Sequence, residues 1–323
     1  MLELNMDFLL LLGGLSFLLI GGEALVRGSV AIGNQLEMSP LLVGMVIVGF
    51  GTSMPELVVS VRAVIDGAAG LAVGNVIGSN ISNILLILGC AAMLAPITRP
   101  ERALVPDGIV LVAISCAVVA LGWFGNVSAL QGSVYLLVLI GLICAEYFRA
   151  KREARLRKII EEPVPMPDEV PQRPMVSLLL ACSGIAGLVF GADLLVSGAT
   201  EIAKAMGVSP GLIGLTIVAV GTSLPELASS MVAAWRGHKT VAYGNVIGSN
   251  LFNLLGILGA SALAGPLTFP FVMVWLDGPI MILATVVMVY FVSSGTGLTR
   301  SEATVLLLSY ISYIVLRYAY AVS

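Results

Sequence analysis

Gly51-Thr52-Ser53-Met54-Pro55-Glu56 returns as Gly221-Thr222-Ser223-Leu224-Pro225-Glu226, and Gly74-Asn75-Val76-Ile77-Gly78-Ser79-Asn80 returns unchanged as Gly244 to Asn250. Both recurrences lie 170 residues apart, from 51 to 221 and from 74 to 244. The same register relates Ser39-Pro40 to Ser209-Pro210, Gly44 to Gly214, Pro96 to Pro266 and Asp107-Gly108 to Asp277-Gly278. The chain therefore reads as one unit written twice, residues 1–148 and 175–323, joined by residues 149–174. Each copy sets a glutamate directly after a proline inside an otherwise apolar stretch.

Composition excludes a water-soluble globule. Hydrophobic residues make up 58% and charged residues 11%, with a mean hydropathy of +1.04, whereas soluble domains carry about 25% charge. A bilayer-spanning helix needs about 20 apolar residues, and ten runs qualify. In the first half they are Met6 to Ile32, Pro40 to Ala63, Leu71 to Leu94, Leu104 to Trp123 and Ala129 to Phe148. Their partners are Met175 to Ala203, Pro210 to Ala234, Val241 to Ala264, Phe271 to Val292 and Ala303 to Tyr320. The predicted fold is an all-α integral membrane protein with ten transmembrane helices, five per repeat. The first run has no basic flank or cleavage site and has a counterpart in the second half, so it is expected to persist as a helix. Cys90, Cys116, Cys144 and Cys182 fall inside apolar helices without metal-type spacing and read as packing residues.

The one polar interruption carries Arg149, Lys151, Arg152, Arg155, Arg157 and Lys158, then Glu161-Glu162 and several prolines, as a linker would. Basic residues beside a helix end mark the cytoplasmic side; the run is too short and too far cancelled by acids for nucleic acid. Five spans per half is an odd number, so the second repeat enters the membrane inverted. The loops exchange charge accordingly. Asp66 to Gly70 has no Lys or Arg where its equivalent has Arg236, His238 and Lys239; Thr98 to Arg102 has Arg99 and Arg102 where Gly265 to Pro270 has none. Arg300 also falls inside, and both termini fall outside; Arg62, Lys204 and Arg317 break the bias. Inverted repeats with broken helices at the midplane are the architecture of secondary transporters, here expected in the cell membrane.

The Gly-Thr-Ser-x-Pro-Glu motif sits at mid-bilayer, where a carboxylate costs about 2.5–3.5 kcal/mol. Pro55 cannot donate a backbone hydrogen bond and crowds the carbonyl of Gly51, and broken backbone in a membrane is tolerated where it lines a cavity. One turn thus delivers Glu56, the hydroxyls of Thr52 and Ser53, and freed carbonyls; Glu226, Thr222 and Ser223 repeat it. Asn75, Ser79 and Asn83, four residues apart, share one helical face, as do Asn245, Ser249 and Asn253; Gly74 and Gly78 permit close helix approach. Two carboxylates among hydroxyl, amide and carbonyl oxygens, without thiol or imidazole, suit a hard cation such as Ca²⁺ or Na⁺. No Lys or Arg lies near mid-depth in the motif helices to pair with the glutamates. Asn75 and Asn245 divide evenly between helix packing and ligation. Glu23, with Arg27 one turn on, reads as a structural ion pair, Asp107 and Asp277 as helix-opening carboxylates, and His238 as loop surface.

At these residues the chain resembles the sodium/calcium exchangers of the calcium/cation antiporter superfamily, over essentially its whole length. The resemblance implies that Glu56 and Glu226 are the central Ca²⁺ ligands. It also implies that Thr52, Ser53, Thr222 and Ser223 line one wall and Ser79, Asn83, Ser249 and Asn253 the other, with Na⁺ sites adjacent and the first helix of each half sliding. This chain departs from some members in having Asn253 where they have Asp, and Gly49-Phe50 where its own second half has Ala219-Val220. The expected activity is Ca²⁺/Na⁺ antiport without a cofactor or an obligatory protein partner. Proton-coupled antiport is the alternative, followed by a passive cation channel. An intramembrane enzyme would need an aspartate dyad, a serine–base pair or a histidine cluster that the sequence does not offer.

Overall fold

The computed structural model describes residues 2–97, 104–160, 173–206, 221–294 and 297–322. Expectations that fall on Thr98 to Arg102, on 161–172 of the linker and on Pro210 to Val220 lie outside these described residues. The helices are α1 Leu2–Gln35, α2 Pro40–Thr52, α3 Met54–Ile65, α4 Ala69–Leu94, α5 Leu104–Trp123 and α6 Ala129–Ile160. They continue with α7 Pro174–Ala205, α8 Leu224–Trp235, α9 Lys239–Ala264, α10 Met273–Ser293 and α11 Arg300–Val322. Among the described residues, eight helices are long and apolar enough to cross a membrane, and α2 with α3, bent by 47°, makes a ninth. Of the tenth expected span, Pro210 to Ala234, only α8 and the turn before it are described.

Helices α9 and α4 form the centre, buried over 89% and 78% of their apolar windows, whereas α6 and α11 are buried over only 11% and present apolar side chains outward. That is the arrangement a lipid surround requires, since lipid supplies no partner for backbone polar groups and each helix satisfies its own. Helix α6 continues to Ile160, through the basic run that begins the linker. Arg, Lys, Glu, Ala and Leu are strong helix formers, and the first proline comes only at Pro163.

Helices α1 and α7 pack on each other through glycines. Gly14, Gly21 and Gly28 on α1 and Gly184, Gly191 and Gly198 on α7 each repeat every seven residues. A Cβ added at Gly21 would lie 2.7 Å from the Leu188 backbone N and one at Gly28 2.5 Å from that of Ala181, while one at Gly184 would collide with the backbone N of Leu25. Ascending residues on α1 meet descending residues on α7, so the two run antiparallel. The first part of α2 lies against α9 in the same direction: Gly244 meets Leu41, and Gly248 meets Met45.

Two short backbone pairings join the ends. Strand β1 (Asn126–Val127) pairs antiparallel with β2 (Leu267–Thr268). Ile97 and Leu298 exchange backbone hydrogen bonds of 3.0 and 3.1 Å. Because Ile97 is the repeat equivalent of Leu267, the second pairing is nearly the first with the halves exchanged. Helices α3 and α8 also end alike. Gly67 and Gly237 have φ of 82° and 83°, with no atom within 4 Å of where a Cβ would stand, so the left-handed backbone, not space, demands glycine there.

The three cations that break the charge bias all have acidic partners: Arg62 with Asp66 at 2.8 Å, Lys204 with Glu201 at 2.6 Å and Arg317 with Asp277 at 3.2 Å. Asp107 stands in the first turn of α5 as expected, whereas Asp277 closes the π turn Met273–Asp277 of α10 and does not open its helix; both are buried ion-pair partners, Asp107 with Arg149 at 2.9 Å and Asp277 with Arg317. Glu23 pairs with Arg27 as expected and also with Arg236, tying α1 to the end of α8. His238 is half-buried beside this cluster; burial holds its imidazole below the ordinary value, with Glu23 opposing and Arg236 reinforcing the shift.

Candidate cation site

Both motif turns take the same shape. Helix α2 stops at Thr52, Ser53 adopts φ −85° and ψ 8°, and α3 restarts with Pro55 in its first turn. Ser223 adopts φ −89° and ψ 4°, and α8 restarts with Pro225. Proline is tolerated there because the first N–H groups of a helix lack intrahelical acceptors. Glu56 and Glu226 thus sit in first turns, where the helix dipole favours a carboxylate. They are 1% and 2% exposed, out of contact with bulk solvent.

The asparagines of the second motif hold these turns. Asn75 Nδ2 donates to Ser60 Oγ at 2.9 Å and to the Glu56 carbonyl at 3.4 Å. Asn245 Nδ2 donates to Ser230 Oγ at 2.7 Å, Ser229 Oγ at 3.2 Å and the Glu226 carbonyl at 3.4 Å. Both asparagines thus make interhelical hydrogen bonds that fix the backbone beneath each glutamate. The signal was a shared separation of 19 residues from asparagine to glutamate in both halves.

The motifs meet across the repeat boundary. Ser53 Oγ donates to Glu226 Oε1 at 2.8 Å, and Ser249 Oγ donates to the Gly49 carbonyl at 3.4 Å. The Thr52 hydroxyl donates to the Val48 carbonyl at 3.1 Å. Thr222 is engaged in contacts of its own, and Ser79 and Ser223 are buried. Asn83 Nδ2 donates to Asn250 Oδ1 at 3.0 Å, a pairing sequence reasoning did not foresee. Asn83 opens a π-helical turn, Asn83–Ile87, and Asn253 lies in its counterpart, Phe252–Ile257; single π turns inside α-helices recur at functional sites.

Several buried atoms here have no hydrogen-bond partner among the described residues. Both carboxylate oxygens of Glu56, Oε2 of Glu226, and Oδ1 of Asn80, Asn83 and Asn253 are in this condition. All are acceptors. Leaving a buried polar group unmade costs about 1–3 kcal/mol, and more for a charged one, so a cluster of acceptors is completed by something that brings positive charge. No third Asp, Glu, His or Cys joins the two glutamates in a metal-type group among the described residues. The donor set is oxygen throughout, the chemistry of hard cations.

The sequence profile described as "Sodium/calcium exchanger protein" matches residues 6–148 and 176–319. Sodium/calcium exchanger MaX1 of Methanosarcina acetivorans is 31% identical over 97% of this chain and 98% of its own length. Inner membrane protein YrbG of Escherichia coli is 33% identical over 80% of this chain and 79% of its own. A solved structure of the sodium-calcium exchanger NCX_Mj, soaked with Na⁺ and without Ca²⁺, superposes with a TM-score of 0.82 at 29% identity, covering 97% of this chain and 99% of that one. With its helical membrane architecture, its paired Pro-Glu turns and these matches in agreement, the chain is a multi-pass membrane protein that belongs to the sodium/calcium exchanger family.

Proposed function

We propose that the protein exchanges Ca²⁺ for Na⁺ by alternating access at one shared site centred on Glu56 and Glu226. The observation that carries this reading is the set of three unpartnered, buried carboxylate oxygens on two glutamates whose motifs touch through Ser53. Thr52, Ser53, Ser79, Asn83, Thr222, Ser223, Ser249 and Asn253 complete the ligand walls. The two glutamates give a fixed charge of −2, balanced by one Ca²⁺ and not by one Na⁺. Displacement of Ca²⁺ therefore takes at least two Na⁺.

The proposed architecture has ten spans in two inverted repeats, 1–148 and 175–323, in the cell membrane, with 149–174 cytoplasmic and both termini outside. Three features support it. Helices α1 and α7, repeat equivalents, pack antiparallel, whereas α2 runs parallel to α9, the counterpart of α4. Lys239 Nζ and Arg300 Nε, both expected inside, donate to the Pro96 and Met93 carbonyls at the expected inner end of α4. Val64 approaches Gly265 at the other end, expected outside. The two stretches matched by the family profile also leave 149–175 between them.

Equilibrium ⁴⁵Ca²⁺ binding to purified protein tests the site. Na⁺ is expected to compete with a Hill coefficient above 1, while changing pH in Na⁺-free buffer displaces Ca²⁺ far less. Displacement by protons with no effect of Na⁺ would favour the proton-coupled alternative.

A further inference from the structure

A carboxamide is ambivalent: it can turn an oxygen or an NH₂ toward a site, and only the oxygen helps a cation. At Asn83 that choice is made by a neighbour from the other repeat. Asn83 Nδ2 donates to Asn250 Oδ1 at 3.0 Å, both side chains being buried, and this leaves two atoms without a partner: Asn83 Oδ1, one of the free acceptors, and Asn250 Nδ2, a donor. The π turn that Asn83 opens packs against α8, which carries Glu226, as well as against α9. We propose that Asn250 is a positioning residue, which accepts from Asn83 and so fixes the Asn83 carboxamide with its oxygen toward the cation. The proposal rests on the exchange reading above.

The repeat equivalent does not share the task. Asn80 stands where Asn250 does, in the same Gly-Ser-Asn triplet, yet its Nδ2 donates at 2.7 Å to the Val76 carbonyl of its own helix. The identical motif therefore performs two different jobs: Asn80 presents its own unpartnered oxygen, and Asn250 orients another residue's. An acceptor of the right length at position 250 is what the arrangement requires. Asp keeps it, whereas Leu and Ala remove it. With Asp at position 83, an oxygen faces the site in either orientation, and position 250 ceases to matter.

The experiment is a double-mutant cycle read by ⁴⁵Ca²⁺ binding to purified, monodisperse protein. Asn250→Leu is expected to weaken Ca²⁺ binding by about tenfold when residue 83 is Asn, and by less than about threefold in the Asn83→Asp background. Asn250→Asp is expected to bind no more weakly than the native chain. Asn250→Ala runs through the same cycle, so that a folding failure of the leucine variant still leaves a result. Equal losses in both backgrounds, no loss in either, or a tenfold loss in Asn250→Asp would overturn the proposal. A native protein that binds no Ca²⁺ would overturn the exchange reading itself, and this proposal with it.

Discussion

Ser53 Oγ reaches Glu226 Oε1 at 2.8 Å across 173 residues of sequence, so the hydroxyl of one repeat's motif serves the carboxylate of the other's. Among the described residues Glu56 has no such donor, and both of its oxygens lack a hydrogen bond. Glu56→Gln and Glu226→Gln are each expected to abolish Ca²⁺ transport while leaving an inserted, folded protein, because each removes half the opposing charge. Ser53→Ala is expected to cost less. A hydrogen bond to a charged group contributes about 1.5–3 kcal/mol, or roughly ten- to a hundredfold in Ca²⁺ affinity. Native-level transport in either glutamine variant would remove that residue from the site.

The buried Asp277 carboxylate takes Arg317 Nε at 3.2 Å and the Tyr313 hydroxyl at 3.1 Å. Arg317→Ala leaves an uncompensated buried charge, a loss of about 3–5 kcal/mol. Thermal unfolding in detergent is expected to show Asp277→Asn/Arg317→Ala more stable than Arg317→Ala alone. A double variant less stable than the single one would mean that the pair is not what holds Asp277.

Helices α1 and α7 meet at backbone distance along their glycines. Gly21→Leu must part them, since even a Cβ there lies 2.7 Å from the Leu188 backbone N. Loss of transport with a lowered unfolding temperature is expected. Gly141→Leu, on the outward face of α6 with no described atom within 4 Å of a Cβ, is expected to change neither.

Topology is open to direct labelling. Single cysteines at Asn126 and His238, introduced into a chain cleared of its four native cysteines, are expected to react from opposite faces, Asn126 from outside. Reaction of both from one face would contradict the inverted arrangement.

Much of the fold was legible because it is written twice. Apolar runs of membrane length gave most helix positions, and Pro55 and Pro225 marked the restarted helices, because proline's missing N–H constrains backbone wherever it stands. The antiparallel glycine contact was also present as spacing, 14, 21, 28 and 184, 191, 198, but uniformly apolar helices hide a packing stripe from hydrophobic periodicity. The different fates of Asn80 and Asn250 were not legible at all. They close the same seven-residue motif, Gly74 to Asn80 and Gly244 to Asn250, and the arrival of Asn83 from the other repeat distinguishes their hydrogen bonding. The π turns in α4 and α9 likewise carry no residue-type signature.

The most direct test of Ca²⁺/Na⁺ exchange is ⁴⁵Ca²⁺ uptake into proteoliposomes loaded with Na⁺, followed under an imposed membrane potential. Uptake is expected to require the outward Na⁺ gradient and to vanish in Glu226→Gln. With three Na⁺ per Ca²⁺, it would also quicken when the interior is made positive, since one net charge leaves per cycle at about 2.3 kcal/mol per 100 mV; indifference to voltage would indicate two Na⁺. Uptake that runs on a pH gradient in the complete absence of Na⁺ would contradict the account.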